Sequence, residues 1–301
     1  MSVVLLVAGL VLVVAGAELF FAGLLAAAAR FGISPFVLTV VVSGFELENL
    51  AAGIAANAKG LSNAAAGTFL GGTTFLALAV PGLAAVASPL RARLPRRVLA
   101  WTAASPLPLL GLAADGELAR WEGGVLVAWF VVAIVGIARS GRGLVGTATP
   151  ERPRFPLVRL VGGLALLTVA GDLLGRGIER VVEGFGISQS LLGNTAIAAS
   201  VEAEEVGRVV TPARHGRGDV ALGNVVGTIA HFAAFNAGVI ALVRPIELDH
   251  DSRVLHLPVA AAAPVLLAVL LLVRDGVGRA LGLGLLTLYA AYVAAAILLG
   301  A

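Results

Sequence analysis

The sequence predicts an all-α membrane protein: ten transmembrane helices arranged as two inverted five-helix repeats. Three observations carry that expectation, namely a composition too apolar for a water-facing exterior, basic residues that favour one side of the predicted bilayer, and an internal repeat. Of 301 residues, 59% are hydrophobic and only 13% charged, and the mean hydropathy is +0.99. So little polar surface could not clothe a soluble globule of this size. The chain has no cysteine, which removes disulfides and thiolate metal sites. From Met1 and Ser2 it runs straight into apolar sequence, without the basic start and small-residue cleavage site of a signal peptide, so this stretch is read as the first span. No basic patch interleaved with aromatics is present, and nucleic acid is not an expected partner.

A window of about 20 residues places spans at 3–28, 34–58, 64–88, 98–114, 123–138, 157–178, 187–209, 220–243, 254–273 and 280–299. The second is interrupted by SGFELEN at 43–49, where Ser43 and Gly44 predict a break. In the sixth, Arg176, Glu179, Arg180 and Glu183 form an amphipathic end whose charges reach the interface. The longest connection, RSGRGLVGTATPERPRFP at 139–156, is the predicted cytoplasmic linker between a first repeat at 1–138 and a second at 157–301. The cluster ELDHDSRVLH at 247–256 is expected to be a solvated loop.

Loops retained in the cytoplasm carry the excess of Lys and Arg. With the N-terminus outside, the loops after odd-numbered spans hold 15 of the 21 basic residues, counting Arg208 at the end of span seven. A multi-pass cell-membrane protein with both termini extracytoplasmic is therefore expected.

Repetition supports five plus five. Glu18 stands before FGIS (31–34) as Asp172 stands before FGIS (185–188), an offset of 154. ELEN (46–49) aligns with EAEE (202–205) at an offset of 156. AAGTFLGGT (65–73) aligns with VALGNVVGT (220–228), again at 156 when Gly67 and Gly71 are matched to Gly223 and Gly227. An odd number of spans per half makes the halves inverted, as in transporters that bind cargo at the midplane.

Each carboxylate at the bilayer centre costs about 2.5–3.5 kcal/mol on insertion scales, so the acids of spans two and seven need a reason. Glu46 and Asn49 are i,i+3, as are Glu202 and Glu205, and each pair shares a helix face. If the two faces meet across the pseudo-two-fold axis, three carboxylates and one amide converge. Hard cations such as Ca2+ take six to eight oxygens, and Thr68, Asn224 and Thr228 on the glycine-rich third and eighth spans are further candidate ligands. Glu48 and Glu204 point elsewhere on a regular helix and are candidates for proton coupling, with Arg208 an i,i+4 partner for Glu204. His231 is either a proton partner or a packing residue, the commoner fate of a lone membrane histidine. Clustered carboxylates titrate as a set, and a divalent ion would displace their shared proton.

GISQSLLGNT…EAEE…ALGNVVGT resembles the alpha repeat of the calcium/cation antiporter superfamily, the sodium/calcium exchangers and their relatives. That repeat reads roughly G-T-S-L-P-E and then G-N-x-x-G-S-N. Here Glu46 and Glu202 replace its Ser, Glu48 and Glu204 its Pro, and Asn49 and Glu205 stand at its ion-binding Glu. The resemblance implies cation antiport by alternating access, with Ca2+ as default cargo, Na+ or H+ as counter-ion and no cofactor. It also places Glu18 and Asp172 on helices that act as gates. The alternatives are an H+-coupled exchanger of Na+, Mg2+ or Mn2+, or a non-transporting cation sensor or scaffold. An intramembrane hydrolase is disfavoured, since the chain has no HExxH, no GxSxG and no cysteine.

Overall fold

The architecture was analysed in a computed structural model that describes residues 2–42, 44, 47–144, 155–183 and 203–299. Its helices are α1 (Ser2–Phe31), α2 (Pro35–Val42), α3 (Leu47–Ala58), α4 (Ser62–Ala87), α5 (Arg96–Ala104), α6 (Leu107–Leu112), α7 (Arg120–Gly141) and α8 (Pro156–Glu183). There follow α9 (203–214), then α10 (Gly218–Ala230), a π-helical turn (His231–Asn236) running into α11 (Ala237–Val243), a second π-turn (Ser252–His256) running into α12 (Leu257–Val273), and α13 (Arg279–Leu299).

Seven helices among the described residues are long and apolar enough to cross a membrane, which makes this a multi-pass helical membrane protein. One expected span is divided where a break was predicted and another where none was. Span 34–58 is divided into α2 and α3 around Gly44, as Ser43 and Gly44 suggested. Span 98–114 is divided into α5 and α6, because Pro106 and Pro108 cannot donate the backbone bonds that a continuous helix needs. The Ser105 carbonyl at that break accepts a 3.1 Å bond from the Trp129 indole of α7, the kind of substitute partner that a broken helix in lipid requires. Of span 187–209, only the part from 203 onward is described.

The centre of the fold is α4 with α10–α11. Their most apolar windows are 78% and 83% buried, against 11% for α13, so they are core helices rather than lipid-facing ones. Glycine sets how closely the surrounding helices approach. Gly82 of α4 meets the Gly282 carbonyl of α13, and Gly238 of α11 meets the Gly123 carbonyl of α7. On the flank, α1 and α8 run antiparallel with a seven-residue step: Gly9 lies against Leu174, Gly16 against Leu167 and Gly23 against Leu160, while Gly163 and Gly177 of α8 lie against Phe20 and Leu6.

Local structures recur at nearly one spacing. Helix α3 spans 47–58 and α9 spans 203–214, while α4 spans 62–87 and the α10–α11 helix 218–243, each shifted by 156. Both α3 and α9 end in the same glycine cap. Leu61 N donates to Ala56 O over Gly60 at φ +80°, and Arg217 N donates to Pro212 O over Gly216 at φ +70°. Two short antiparallel ladders repeat the relation. Strand β1 (Leu90–Arg91) pairs with β4 (Gly276–Val277), and β2 (Glu117–Leu118) pairs with β3 (Ile246–Glu247).

At Gly216 a Cβ would meet nothing within 4 Å, so backbone conformation alone selects glycine there. Gly216→Ala and Gly60→Ala should each lower stability by about 1–2 kcal/mol, the cost of a left-handed backbone for an L-residue. Denaturation in detergent micelles measures this, and unchanged midpoints would remove the capping role.

Candidate functional site

The opening turn of α9 carries Glu204 and Glu205, and Arg208 follows one turn later. All three residues are buried. Their spacing is i,i+4 and i,i+3, so both carboxylates reach the same guanidinium. Arg208 Nη1 donates to Glu205 Oε1 at 2.8 Å, and its Nη2 contacts Glu204 Oε1. Glu205 Oε2 accepts from Asn224 Nδ2 at 2.6 Å, which ties α9 to the GNVVGT stretch of α10. Thr228, also buried, donates to the Asn224 backbone carbonyl at 3.0 Å. The Phe20 ring of α1 covers the guanidinium at 5.5 Å, a cation–π contact in a desolvated setting.

His231 lies one turn beyond Gly227 and is fully buried. Its Nδ1 is 2.8 Å from the Gly227 carbonyl, which calls for the proton on that nitrogen. The ring packs edge-on to Phe130, with centroids 4.5 Å apart, and a Cβ at Gly44 would overlap it. Gly44 is therefore required by close approach: the break between α2 and α3 is seated on His231. The packing role anticipated for this histidine is visible in that seat, and a π-helical turn begins at the same residue, a feature frequent at functional positions.

Of the residues selected from sequence, Glu205, Asn224 and Thr228 are brought together, with Glu204 beside them. Glu46 and Glu202 lie outside the described residues, immediately before the starts of α3 and α9. Glu48 is exposed and Asn49 half-buried in the first turn of α3. Thr68 turns its hydroxyl back to the Ala65 carbonyl of its own helix at 2.7 Å. Helix α3 lies directly on it, since a Cβ at Gly53 would come within 2.8 Å of Thr68 Oγ1. Glu18 of α1 has Oε2 3.6 Å from His215 Nε2, with both side chains about half exposed. Asp172 accepts a 3.0 Å bond from Arg176 on the exposed side of α8. Among the described residues, no group of three or more carboxylate or histidine side chains is placed to hold a metal ion.

Three sequence expectations change. Arg208 is not a loop cation reporting membrane orientation; it is a buried partner of two carboxylates. Glu204 does not point away from Glu205, because the long arginine draws both onto one centre. The stretch 247–256 is only partly a solvated loop, since Ser252–His256 is already helical and Ser252 is buried. Beside it a cavity of about 250 Å³ is lined by Asp249, Asp251, His256 and Tyr292 together with Asn63 and Gly67 of α4. The signal for the shared role of Arg208 was present in the sequence, as a basic residue three and four positions after two acids. The tie from Glu205 to Asn224 was not, because it joins different helices.

Comparison with known proteins gives a consistent result. The pattern of the family described as sodium/calcium exchanger protein matches residues 1–138 and 155–298. The inner membrane protein YrbG of Escherichia coli (strain K12) is 31% identical, over 83% of this chain and 82% of that protein. The antiporter candidate CaxA of Alkalimonas amylolytica is 28% identical, over 82% of each chain. Among solved structures, the sodium-calcium exchanger NCX_Mj soaked with zero Na+ and Ca2+ superposes with a TM-score of 0.83 at 23% identity, covering 97% of this chain and 98% of that one. The same exchanger soaked with Na+ and Sr2+ gives 0.82, covering 97% of each. At that identity the likeness establishes a shared fold.

Asn224 donates to Glu205 Oε2 from a different helix. Asn224→Ala should cost about 1–3 kcal/mol by leaving a charged, buried oxygen short of a partner, seen as a lower thermal midpoint in detergent. Asn224→Gln, which keeps the amide, should recover part of that loss.

Proposed function

Since the chain belongs to the sodium/calcium exchanger protein family, we propose that it is a secondary-active antiporter that exchanges a divalent cation, with Ca2+ the leading candidate, for H+ or Na+. The cargo site in this reading lies at mid-depth where α3 and α9 begin. It is formed by Glu46 and Asn49 from the first half and Glu202 and Glu205 from the second, with Thr68, Asn224 and Thr228 contributing from α4 and α10. Glu48, Glu204 and His231 stand behind this set. The observation that carries the proposal is Glu205: a fully buried carboxylate in the opening turn of α9, bonded to the central glycine-rich helix. A helix N-terminus carries partial positive charge, so acids in its first turn are favoured there even when buried.

Ten membrane-crossing segments in two inverted halves fit this reading. The divided pairs α2–α3 and α5–α6 each serve as one crossing, and the family match falls on two stretches that flank the linker. The recurrence at 156 supports the halves, and an inverted relation accounts for each ladder joining one strand from either half. The excess of basic residues in the odd-numbered connections supports extracytoplasmic termini. In this arrangement α1 and α8 are the moving elements of alternating access. Their glycine-stepped contact brings the two backbones close together, with Glu18 and Asp172 on its exposed margins.

One feature favours a second reading, a non-transporting sensor or scaffold: the described carboxylates are already neutralised in part by Arg208. Flux separates the two. Proteoliposomes carrying the protein should take up 45Ca2+ under an imposed H+ or Na+ gradient, with Mg2+ and Mn2+ as comparison cargoes. Glu205→Gln should reduce that uptake to the level of empty vesicles while the protein still elutes as a folded species. Uptake equal to wild type in Glu205→Gln and in Glu202→Gln would overturn the site, and absence of uptake in the wild type under every gradient would overturn transport.

A further inference from the structure

We propose that Arg208 is a tethered cation: its guanidinium occupies the Glu204 and Glu205 carboxylates when the site holds no cargo, and an arriving divalent cation must displace it. This deepens the antiporter reading and rests on it. The side chain is 2% exposed and the two carboxylates 8% and 0%, so the guanidinium has exchanged its water for these oxygens. It binds Glu205 through the oxygen that Asn224 does not use. Cargo entering at Glu205 therefore meets an oxygen already committed to a positive charge. Such a pair is strongly favoured over either carboxylate left alone in low dielectric, and a guanidinium, unlike an ammonium, stays charged at any working pH.

Among the described residues the arginine has no counterpart at the matching position of the first half. The position equivalent to Arg208 at the shift of 156 is Ala52, a small exposed residue on α3. Arg208 supplies from within the chain the positive charge that a bound cation would otherwise bring to these carboxylates. The consequence is specific. The protein requires less external cation to compensate its empty site, and its affinity for cargo is weakened by competition from its own arginine.

A route for coupling follows from what lies over the guanidinium. Phe20 of α1 stacks on it at 5.5 Å, and α1 touches α9 again where Gly207 meets Val13. When cargo expels the guanidinium from the carboxylates, the Phe20 contact is lost with it. Occupancy of the site is thereby communicated to α1, the helix assigned above to gating.

The test is equilibrium 45Ca2+ binding and thermal unfolding in detergent, on the full chain, in chelator and then with CaCl2. Arg208→Gln should bind Ca2+ at least tenfold more tightly than wild type. It should also unfold at a lower temperature in chelator, and CaCl2 should restore more of its midpoint than CaCl2 adds to the wild type. Arg208→Lys should bind close to wild type. If Arg208→Gln does not fold, Glu204→Gln/Arg208→Gln removes one charge of each sign and keeps the net charge of the cluster, and it should show the same tightening. Equal or weaker Ca2+ binding in the folded variant would overturn the tethered cation while leaving the antiporter reading intact. Absence of Ca2+ binding in the wild type with binding in the variant would support it as a complete block. If neither binds Ca2+, Mg2+, Mn2+ or Na+, the site assignment and this proposal fall together.

Discussion

A carboxylate taken out of water must be answered by the protein itself, and in this chain the answer is the joint held by Glu205. One oxygen takes the Arg208 guanidinium and the other the Asn224 amide, so a single side chain fastens α9 to the most central helix of the fold. Neither bond is strong as a net contribution in isolation, but leaving either oxygen unanswered in a low-dielectric interior is costly. The position of α9, the orientation of Asn224 and the burial of Arg208 are thus one problem with one solution. Thr228 completes it by returning its hydroxyl to the backbone of its own helix.

The same requirement explains how the helices can be broken without exposing bare backbone to lipid. Where α5 gives way to α6, the Ser105 hydroxyl takes the Thr102 carbonyl that Pro106 cannot bond, and the Trp129 indole takes the Ser105 carbonyl. Where α3 ends, Asn57 reaches across to the carbonyls of Ile240 and Arg244 at the end of α11. Buried threonines elsewhere, among them Thr73, Thr74 and Thr102, bond the carbonyl one turn earlier. Polar groups in this core are turned inward, onto helices.

Close approach is the second organising feature, and glycine makes it possible. The α1–α8 contact is built on glycines seven residues apart, each set against a leucine of the facing helix, so the backbones come close while the side chains still interlock. Gly44 likewise admits the His231 ring at the α2–α3 break.

The membrane class, a recurrence at 156 residues and the unusual intramembrane acids were legible in the chain alone. Composition, the FGIS, ELEN/EAEE and glycine matches, and the cost of acids in lipid are properties of the chain that do not depend on which helix touches which. Breaks were legible only where a local signal existed, as at Ser43 and Gly44. Tertiary structure decided the partners. Helical spacing on one strand of sequence says that Glu204 and Glu205 leave at different angles, yet an arginine long enough to reach both gathers them. By charge pattern Arg208 belongs to a loop; in the fold it is buried between two carboxylates. Nothing in the spacing of α9 and α10 could have joined Glu205 to Asn224 or set His231 against Gly44, because those distances depend on how whole helices pack, and packing is settled by contacts remote in sequence.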